Sequence, residues 1–222
     1  MEQKSILTPF QKTIFSVIVG EKFFKENFYF SGGTALAEFY LSHRYSEDLD
    51  FFTSKKISYA RIQKIFNSKI KKMAVDSFET RAIGGTKLFF LKKGKREIVK
   101  VEFNYFPFKR LREGKKFKGI IIDSLFDLGV NKLNTILTRR HARDYVDLYF
   151  ILQEERYSWR KLLSGVKEKF SWQIDPLNLV IQLKKIEKLY DYPKMIKKIS
   201  RSQMIKFYRK QIVQLNQKVL KN

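Results

Sequence analysis

The pattern of apolar and polar positions predicts strands in the first half of the chain and helices in the second half. Apolar residues recur at helical spacing over 9–26, beginning with Phe10, Ile14 and Val17. From Val75 onward the apolar residues alternate with polar ones, as expected for strands with one buried face. The predicted strands are 28–30, 49–53, 75–82, 86–92, 96–106 and 119–122.

Helices are predicted between the early strands and throughout the region beyond Asp123. Ser58 can cap one of them, and Asp175 followed by Pro176 is typical of a helix start. The predicted helices after the first one are 34–41, 58–72, 124–138, 143–153, 158–170, 176–189 and 199–219, while 109–119 is predicted to be a loop. Because strands precede helices instead of alternating with them, the sequence predicts an α+β domain over 1–120 and a helical domain over 121–222.

The composition permits a sizeable core and excludes several kinds of site. The chain has 222 residues, of which 44% are hydrophobic, so it is not a disordered polypeptide. It contains no cysteine, which excludes disulfides, thiolate metal sites and a cysteine nucleophile. No apolar run approaches the roughly 20 residues that span a bilayer, and the first residues lack the order of a secretory signal. We therefore expect a cytoplasmic protein with no membrane partner.

The net charge indicates a polyanionic partner. Lys and Arg number 46 against 22 Asp and Glu, which gives +24. Residues 1–120 hold 25 basic and 12 acidic side chains, and the remainder hold 21 and 10, so the excess is not confined to a tail. A compact body with this charge attracts nucleic acid, and RNA or DNA is the natural candidate. General solubility is the alternative explanation.

Chemistry is concentrated between Phe30 and Phe52. A predicted strand ends at Gly32 and Gly33, and a helix follows directly. Glycines let the backbone approach a ligand closely, and the start of a helix offers N–H groups and a positive dipole end. This arrangement predicts a phosphate cradle, although an ordinary strand–helix turn has the same sequence.

Three carboxylates follow. Asp48 and Asp50 lie two residues apart on a predicted strand, so their side chains share one face. Adjacent carboxylates repel one another, and Mg²⁺ relieves the repulsion while accepting phosphate oxygens. On strand 96–106, Glu102 points away from the apolar face, and it joins the aspartates if the two strands are neighbours. The alternatives are exposed charges at a strand end and a solvent-facing glutamate.

These motifs resemble those of the polymerase-β-like nucleotidyltransferase superfamily. The run Gly32-Gly-Thr-Ala-Leu36 followed by Arg44-Tyr-Ser-Glu-Asp-Leu-Asp-Phe51 is similar to the AbiEii-type nucleotidyltransferase toxin family. A second family motif is similar to Asn131-Lys-Leu133 and Arg143-Asp-Tyr-Val-Asp-Leu148. The resemblance covers roughly 28–152. It implies a polymerase-β-like domain, with a mixed or antiparallel sheet and flanking helices, before the helical domain that completes the active-site cleft.

The resemblance also implies roles for individual residues. Asp48 and Asp50 hold metal, with Glu102 as a third ligand if its strand is adjacent, and a group of small polar residues contacts the nucleotide. That group consists of Gly32, Gly33, Thr34 and Ser46. Lys132 neutralises triphosphate charge, and Asp144 orients Lys132 or the acceptor. Alternatively, the Lys132 side chain extends from the helix margin to solvent, and the Asp144 carboxylate interacts favourably with the dipole at the start of its helix. A final set either binds nucleic acid or faces water, namely Arg139, Arg140 and Arg143.

The functional hypothesis follows from these roles. We expect an enzyme that transfers NMP from an NTP to an RNA acceptor such as tRNA. The reaction is expected to use two Mg²⁺ ions. The family resemblance implies a toxin with a cognate antitoxin protein, in a type IV toxin–antitoxin or phage-defence system. The alternatives are a basic RNA-binding module with weak activity, and transfer to a protein or a small molecule.

Overall fold

The computed structural model describes residues 5–154 and 157–219, and its α+β architecture confirms the fold class. The chain divides into two compact units. The first comprises 1–109 and 113–124, and the second comprises 110–112 and 125–222. Strands in the described residues fall in the first unit, and the described part of the second unit is helical.

The first unit is built on a mixed sheet that has seven strands within the described residues. The strands are β1 (Tyr29–Ser31), β2 (Leu49–Thr53), β3 (Ser77–Ile83), β4 (Thr86–Lys93), β5 (Glu97–Tyr105), β6 (Lys115–Phe117) and β7 (Ile120–Ile122). Their order is β3-β4-β5-β2-β1-β7-β6. The pairs β2–β5 and β1–β7 are parallel and the other pairs are antiparallel, so β2 and β5 are neighbours at the centre of the sheet.

One face of this sheet carries an aromatic core. Phe51 on β2 and Phe103 on β5 stack with ring centroids 5.4 Å apart, and both are buried. Phe15, Phe24 and Phe66 cover them from three helices, with centroid distances of 6.1 Å to Phe51 and 4.8 and 5.9 Å to Phe103. Because side chains alternate along a strand, the residues on either side of Phe51 and of Phe103 point to the opposite face of the sheet.

Those helices are shorter than the apolar pattern predicts. The helices of the first unit are α1 (Pro9–Gly20), α2 (Lys22–Asn27), α3 (Gly32–Leu36) and α4 (Tyr59–Asn67), with a π-helical turn at Ala37–Leu41 and a 3-10 turn at Ile70–Met73. The single helix predicted over 9–26 is wrong, because Glu21 has extended backbone angles of φ −85° and ψ 123°. Gly20, the last residue of α1, is a poor helix former and permits the break.

The loop predicted over 109–119 is also wrong in part. Residues 115–117 form β6, which pairs antiparallel with β7 through a turn at Lys118 and Gly119. Both turn residues have positive φ, at 49° and 88°. All three residues of β6 are exposed, so the sequence has no alternation there and the pairing alone defines the strand.

The second unit consists of helices around a separate apolar core. They are α5 (Leu125–Thr138), α6 (Ala142–Leu152), α7 (Trp159–Phe170), α8 (Pro176–Lys184) and α9 (Arg201–Val219), with a 3-10 turn at Lys185–Lys188. Leu133, Tyr145 and Tyr208 are fully buried, and the Tyr208 hydroxyl donates to the Tyr145 carbonyl at 2.7 Å. In residues 5–154 and 157–219, no helix combines the length and apolar character that crossing a membrane demands.

Candidate active site

The turn after β1 requires glycine at both positions for different reasons. Gly32 has a φ of 77°, and a Cβ there would lie 2.1 Å from Asp50 Oδ2. A Cβ on Gly33 would lie 2.3 Å from Arg44 Nη2 and 3.3 Å from Ser46 Oγ. A Cβ at 2.1 or 2.3 Å would force the neighbouring side chain to shift, so the glycines let the backbone lie against a carboxylate and a guanidinium. The sequence-predicted Gly32, Gly33, Ser46 and Asp50 therefore lie together.

Hydrogen bonds fix the segment that leads into β2. The buried Thr34 hydroxyl donates to the Asp48 carbonyl, so its side chain positions Asp48. Gln11 on α1 is also buried, and its Nε2 donates to the carbonyls of Ser46 and Glu47 at 2.9 Å each. A nucleotide contact by Thr34 would consequently use its backbone, because the hydroxyl already has an acceptor.

Strand pairing brings the predicted carboxylates to one face of the sheet. β2 and β5 are parallel, with Asp50 directly opposite Glu102. Leu49 is opposite Val101 in the same register, and both are fully buried on the other face. Asp48 immediately precedes β2, and its side chain is 26% exposed, against 20% for Glu102. β2 and β5 are thus neighbours, which is the pairing that places Glu102 beside the two aspartates.

A lysine stands between two of these carboxylates. Lys100 Nζ lies 2.6 Å from Glu102 Oε1 and 3.1 Å from Asp48 Oδ2. Partial burial by itself lowers the pKa of Lys100. The hydrogen bond with Glu102 and the charge of Asp48 outweigh burial, so the pKa lies above its ordinary value and the ammonium is protonated at neutral pH.

The donor chemistry of this cluster suits Mg²⁺. Carboxylate oxygens are the ligands that this hard cation prefers, and the backbone of Gly32 leaves room for the Asp50 carboxylate. Within the described ranges, no group of three or more His, Asp or Glu side chains is arranged as a ready-made metal site. Asp48, Asp50 and Glu102 therefore have the donor chemistry that Mg²⁺ prefers, and Lys100 forms ion pairs with two of them.

The second unit contains a buried ion-pair cluster around the predicted Lys132. Its Nζ lies 2.7 Å from both Asp144 Oδ1 and Asp147 Oδ2, and the two aspartate side chains are fully buried. The Lys132 side chain is 9% exposed, so the alternative in which it extends freely to solvent does not describe it. Arg139 Nε and Nη2 donate to Asp144 at 2.9 and 3.0 Å. Asp144 thus contacts both Lys132 and Arg139.

The electrostatics of this cluster favour the charged form of Asp144. Burial by itself raises the pKa of Asp144, but the charges of Lys132 and Arg139 outweigh burial and lower it. Of the three arginines predicted to bind nucleic acid, Arg139 is 45% exposed and already holds Asp144. Arg140 is exposed and Arg143 is half-buried. Arg139 therefore has a structural contact in addition to its predicted role.

Sequence reasoning missed four residues in or near these two clusters. Lys100 and Asp147 are ion-pair partners of the predicted residues. Gln11 donates to the segment before β2, and the Arg44 guanidinium lies next to Gly33. Lys100 had a detectable signal, because it lies two residues before Glu102 on one strand face. Asp147 also had one, since it is three residues after Asp144 on a helix. Gln11 lies far along the chain from the segment that it contacts, and Arg44 lies outside β2, so neither had a comparable signal.

Known proteins give this geometry a context. The chain matches the family described as nucleotidyl transferase AbiEii toxin, type IV TA system, over residues 17–207. It is 30% identical over 149 residues to the uncharacterized protein aq_aa25 of Aquifex aeolicus (strain VF5), covering 65% of this chain and 66% of that one.

Two solved structures from Helicobacter pylori share the fold. One is provisionally named a nucleotidyltransferase; it has a TM-score of 0.59 and 19% identity, over 94% of this chain and 99% of that one. The other, JHP933, has a TM-score of 0.55 and 19% identity, over 95% and 94%. The family match, which confirms the resemblance of the sequence motifs, shows that this chain belongs to the AbiEii nucleotidyltransferase toxin family of type IV toxin–antitoxin systems.

Proposed function

We propose that this nucleotidyltransferase transfers NMP from an NTP to an RNA acceptor in a reaction that depends on Mg²⁺. The observation that carries the proposal is the register of β2 and β5, with Asp50 opposite Glu102 and Asp48 beside them. The turn at Gly32 lies against the Asp50 carboxylate, so a phosphate held by the backbone of the turn would be next to the acidic cluster. Family membership supports NTP as the substrate.

In this proposal the three carboxylates hold the metal and manage the proton. Bound Mg²⁺, as two ions, supplies charge stabilisation to the phosphate and the leaving pyrophosphate. Asp48, Asp50 and Glu102 hold the cations, and Glu102 or Asp48 accepts the proton of the attacking hydroxyl. The hydroxyl oxygen bonds to the α-phosphorus while the bond to pyrophosphate breaks. Thr34 and Gln11 contribute by fixing the backbone around Asp48.

The roles of Lys132 and Asp144 are carried over from the family resemblance. Lys132 would neutralise triphosphate charge. Its ammonium contacts Asp144 and Asp147, each at 2.7 Å, and an ammonium has three N–H donors, so a phosphate contact is compatible with both carboxylate contacts. A preformed ammonium position restricts the geometry of such a contact, which favours Lys132 as an oriented charge over a mobile one.

RNA is the proposed acceptor because of charge. The chain carries +24, which attracts a polyanion and repels a small cationic acceptor such as an aminoglycoside. Arg140 is exposed and can contact a phosphate backbone. tRNA is one acceptor consistent with this chemistry. A cognate antitoxin is the protein partner implied by membership of a type IV toxin–antitoxin family.

The test is a transfer assay with each α-³²P-labelled NTP, Mg²⁺ and total cellular RNA. We expect a discrete labelled RNA band with the unaltered protein and its loss in Asp48→Asn and Asp50→Asn. Asp76→Asn is the matched control, because Asp76 is an exposed aspartate that accepts a hydrogen bond from Gly94 N, as asparagine can. Melting curves of all variants separate loss of chemistry from loss of folding.

Each other outcome identifies a different function. Equal labelling by the Asp48 and Asp50 variants would contradict the metal assignment. Label on a protein or a small molecule with none on RNA would replace the acceptor. Retention of RNA without transfer under any NTP would indicate the weakly active RNA-binding module.

A further inference from the structure

The strands beyond the acidic cluster carry apolar side chains on the same sheet face as Glu102. In the antiparallel pair of β4 and β5, Leu88 is directly opposite Glu102, and Phe90 is opposite Lys100. Leu88 and Phe90 are half-buried. Ile98 lies on the same face of β5, because it is two residues before Lys100, and it is 58% exposed. We call the surface formed by Leu88, Phe90 and Ile98 the outer platform.

Two adjacent phenylalanines on β4 have different surroundings. Phe89 is fully buried on the helix-covered face, where its ring stacks with that of Phe66 at a centroid distance of 3.9 Å. Phe90 points to the opposite face, and the Arg81 guanidinium lies over its ring, with Cζ 5.2 Å from the centroid. The Arg81 side chain is 62% exposed on β3. An arginine beside a partly accessible aromatic ring is the combination on which bases of single-stranded nucleic acid stack.

The strand order gives the outer platform its significance. The order β4-β5-β2-β1 places Phe90 and the turn at Gly32 on opposite sides of Asp50 and Glu102. In phosphoryl transfer the attacking and leaving oxygens lie roughly in line, on opposite sides of the phosphorus. If the triphosphate occupies the turn after β1, pyrophosphate leaves on that side and the attacking hydroxyl approaches from the side of β4.

Basic side chains border the outer platform. Arg81 and Lys92 lie on the same face as Phe90, and each forms an ion pair with Glu79, at 3.7 and 2.9 Å. The hydrogen bond from Lys92 lowers the pKa of Glu79, so the three side chains together carry one positive charge at neutral pH. Exposed ion pairs of this kind are weak, so the two cations can exchange the carboxylate for phosphate oxygens.

We propose that the outer platform binds the unpaired end of the acceptor RNA, with a base stacked on Phe90 and phosphates at Arg81 and Lys92. This inference rests on the proposed function, because it assumes that RNA is the acceptor. Phe90 lies two residues along β4 from the position opposite Glu102, about 7 Å, so one RNA end can occupy the outer platform and the carboxylates together. Stacking of this kind tolerates any base, so the site selects a single-stranded end and not a sequence.

The test measures binding of a short single-stranded RNA, labelled with fluorescein at its 5′ end, by fluorescence anisotropy without NTP. A second RNA has abasic residues at its 3′ end. Phe90→Leu keeps an apolar side chain but removes the ring, so the Kd of the complete RNA should rise about five-fold, while the abasic RNA should bind the variant and the unaltered protein equally. Arg81→Gln should lower the slope of log K against log salt by about 0.7, as the loss of one phosphate contact requires.

The chain offers a matched control pair. Arg61 lies over the ring of Phe23, with Cζ 4.9 Å from the centroid, and these residues belong to α4 and α2 instead of the sheet. Phe23 is half-buried and Arg61 is exposed, as Phe90 and Arg81 are. Phe23→Leu and Arg61→Gln should therefore leave RNA binding and its salt dependence unchanged, and melting curves of all variants report folding.

Transfer assays then separate this inference from the function on which it rests. Phe90→Leu should raise the KM for RNA and leave the KM for NTP unchanged. Equal RNA affinities of Phe90→Leu and Phe23→Leu, or an equal loss with the abasic RNA, would overturn the stacking site. A raised KM for NTP alone would assign the outer platform to the nucleotide and overturn the acceptor assignment.

The remaining outcomes concern the proposed function and the fold. RNA binding that depends on Phe90, without transfer of label to RNA by the unaltered protein, would contradict the proposed function and leave the outer platform as an RNA-binding surface. If Phe90→Leu fails to fold, Arg81→Gln decides the question, because its side chain is exposed and its salt slope reports the phosphate contact directly. An unchanged slope would then overturn the inference.

Discussion

Replacing Lys132 with methionine should destabilise the helical unit by removing the centre of its ion-pair cluster. Lys132 Nζ contacts Asp144 and Asp147 at 2.7 Å, and both aspartate side chains are fully buried. The methionine retains much of the apolar stem but removes the ammonium that contacts both buried carboxylates, while Arg139 still contacts Asp144. The perturbation is therefore mainly electrostatic.

The magnitude follows from the burial of the three side chains. Removing one partner of a buried ion pair costs about 3–5 kcal/mol, because the remaining charge keeps its desolvation penalty. Arg139 still holds Asp144 through two hydrogen bonds, so we expect the lower end, about 3 kcal/mol. At roughly 2–4 °C per kcal/mol for a chain of this size, Tm should fall by about 6–12 °C.

Thermal and urea unfolding of Lys132→Met, Asp147→Asn and the double variant would measure this loss. The double variant removes one of the two carboxylate charges that Lys132 contacts, so it should be more stable than Lys132→Met alone. A coupling free energy of about 1–3 kcal/mol between the two positions is expected. A double variant less stable than either single variant would refute the electrostatic explanation.

The pH dependence gives an independent check. The pKa of Asp144 is lowered in the folded protein. A carboxyl of this kind stabilises the fold above its unfolded pKa of about 3.9, and the contribution disappears as pH falls through the folded pKa. The difference between the unaltered protein and Lys132→Met should thus be largest near neutral pH and shrink below about pH 4. A constant difference over that range would contradict the assignment.

Two further predictions concern other close contacts. Gly32→Ala should abolish transfer, because its Cβ would meet Asp50 Oδ2 at 2.1 Å, whereas Gly84→Ala should leave transfer intact, since that glycine also has positive φ but nothing within 4 Å. Equal transfer rates for the Gly32→Ala and Gly84→Ala variants would contradict the first prediction. Asp127→Asn should increase tryptic cleavage at 110–112, because Asp127 accepts from two backbone N–H groups there and from a buried lysine. Unchanged digestion would contradict this second prediction.

The strands and helices were predictable wherever one face of an element is buried. Strand β5 alternates buried and half-exposed residues, and the sequence predicted it within one residue at each end. The failures lie where this signal is missing. All residues of β6 are exposed, so its strand character comes from pairing with β7. The break at Glu21 interrupts an apolar stripe that continues on both sides, so periodicity alone cannot reveal it.

The residues of the candidate site also differ in whether their placement follows from a local pattern or from long-range contacts. The spacing of Asp48 and Asp50 is local information, and the sequence therefore suggested a shared face for their carboxylates. The membership of Glu102 depended on which strand lies next to β2, a long-range pairing that no local pattern encodes. The ion pairs of Asp147 with Lys132 and of Lys100 with Glu102 were established only by the distances in the structure, although the spacing of both residues along the chain was compatible with them.

The sequence by itself determined the α+β class, the glycine turn, the acidic pair and the motifs of the nucleotidyltransferase family. These properties depend on residue type and spacing over short segments. The tertiary structure alone decided that Lys100 lies between Asp48 and Glu102 and that Lys132 is held by two buried aspartates. Ion pairs of this kind follow from strand register and helix packing, because charged groups interact through space and not along the chain.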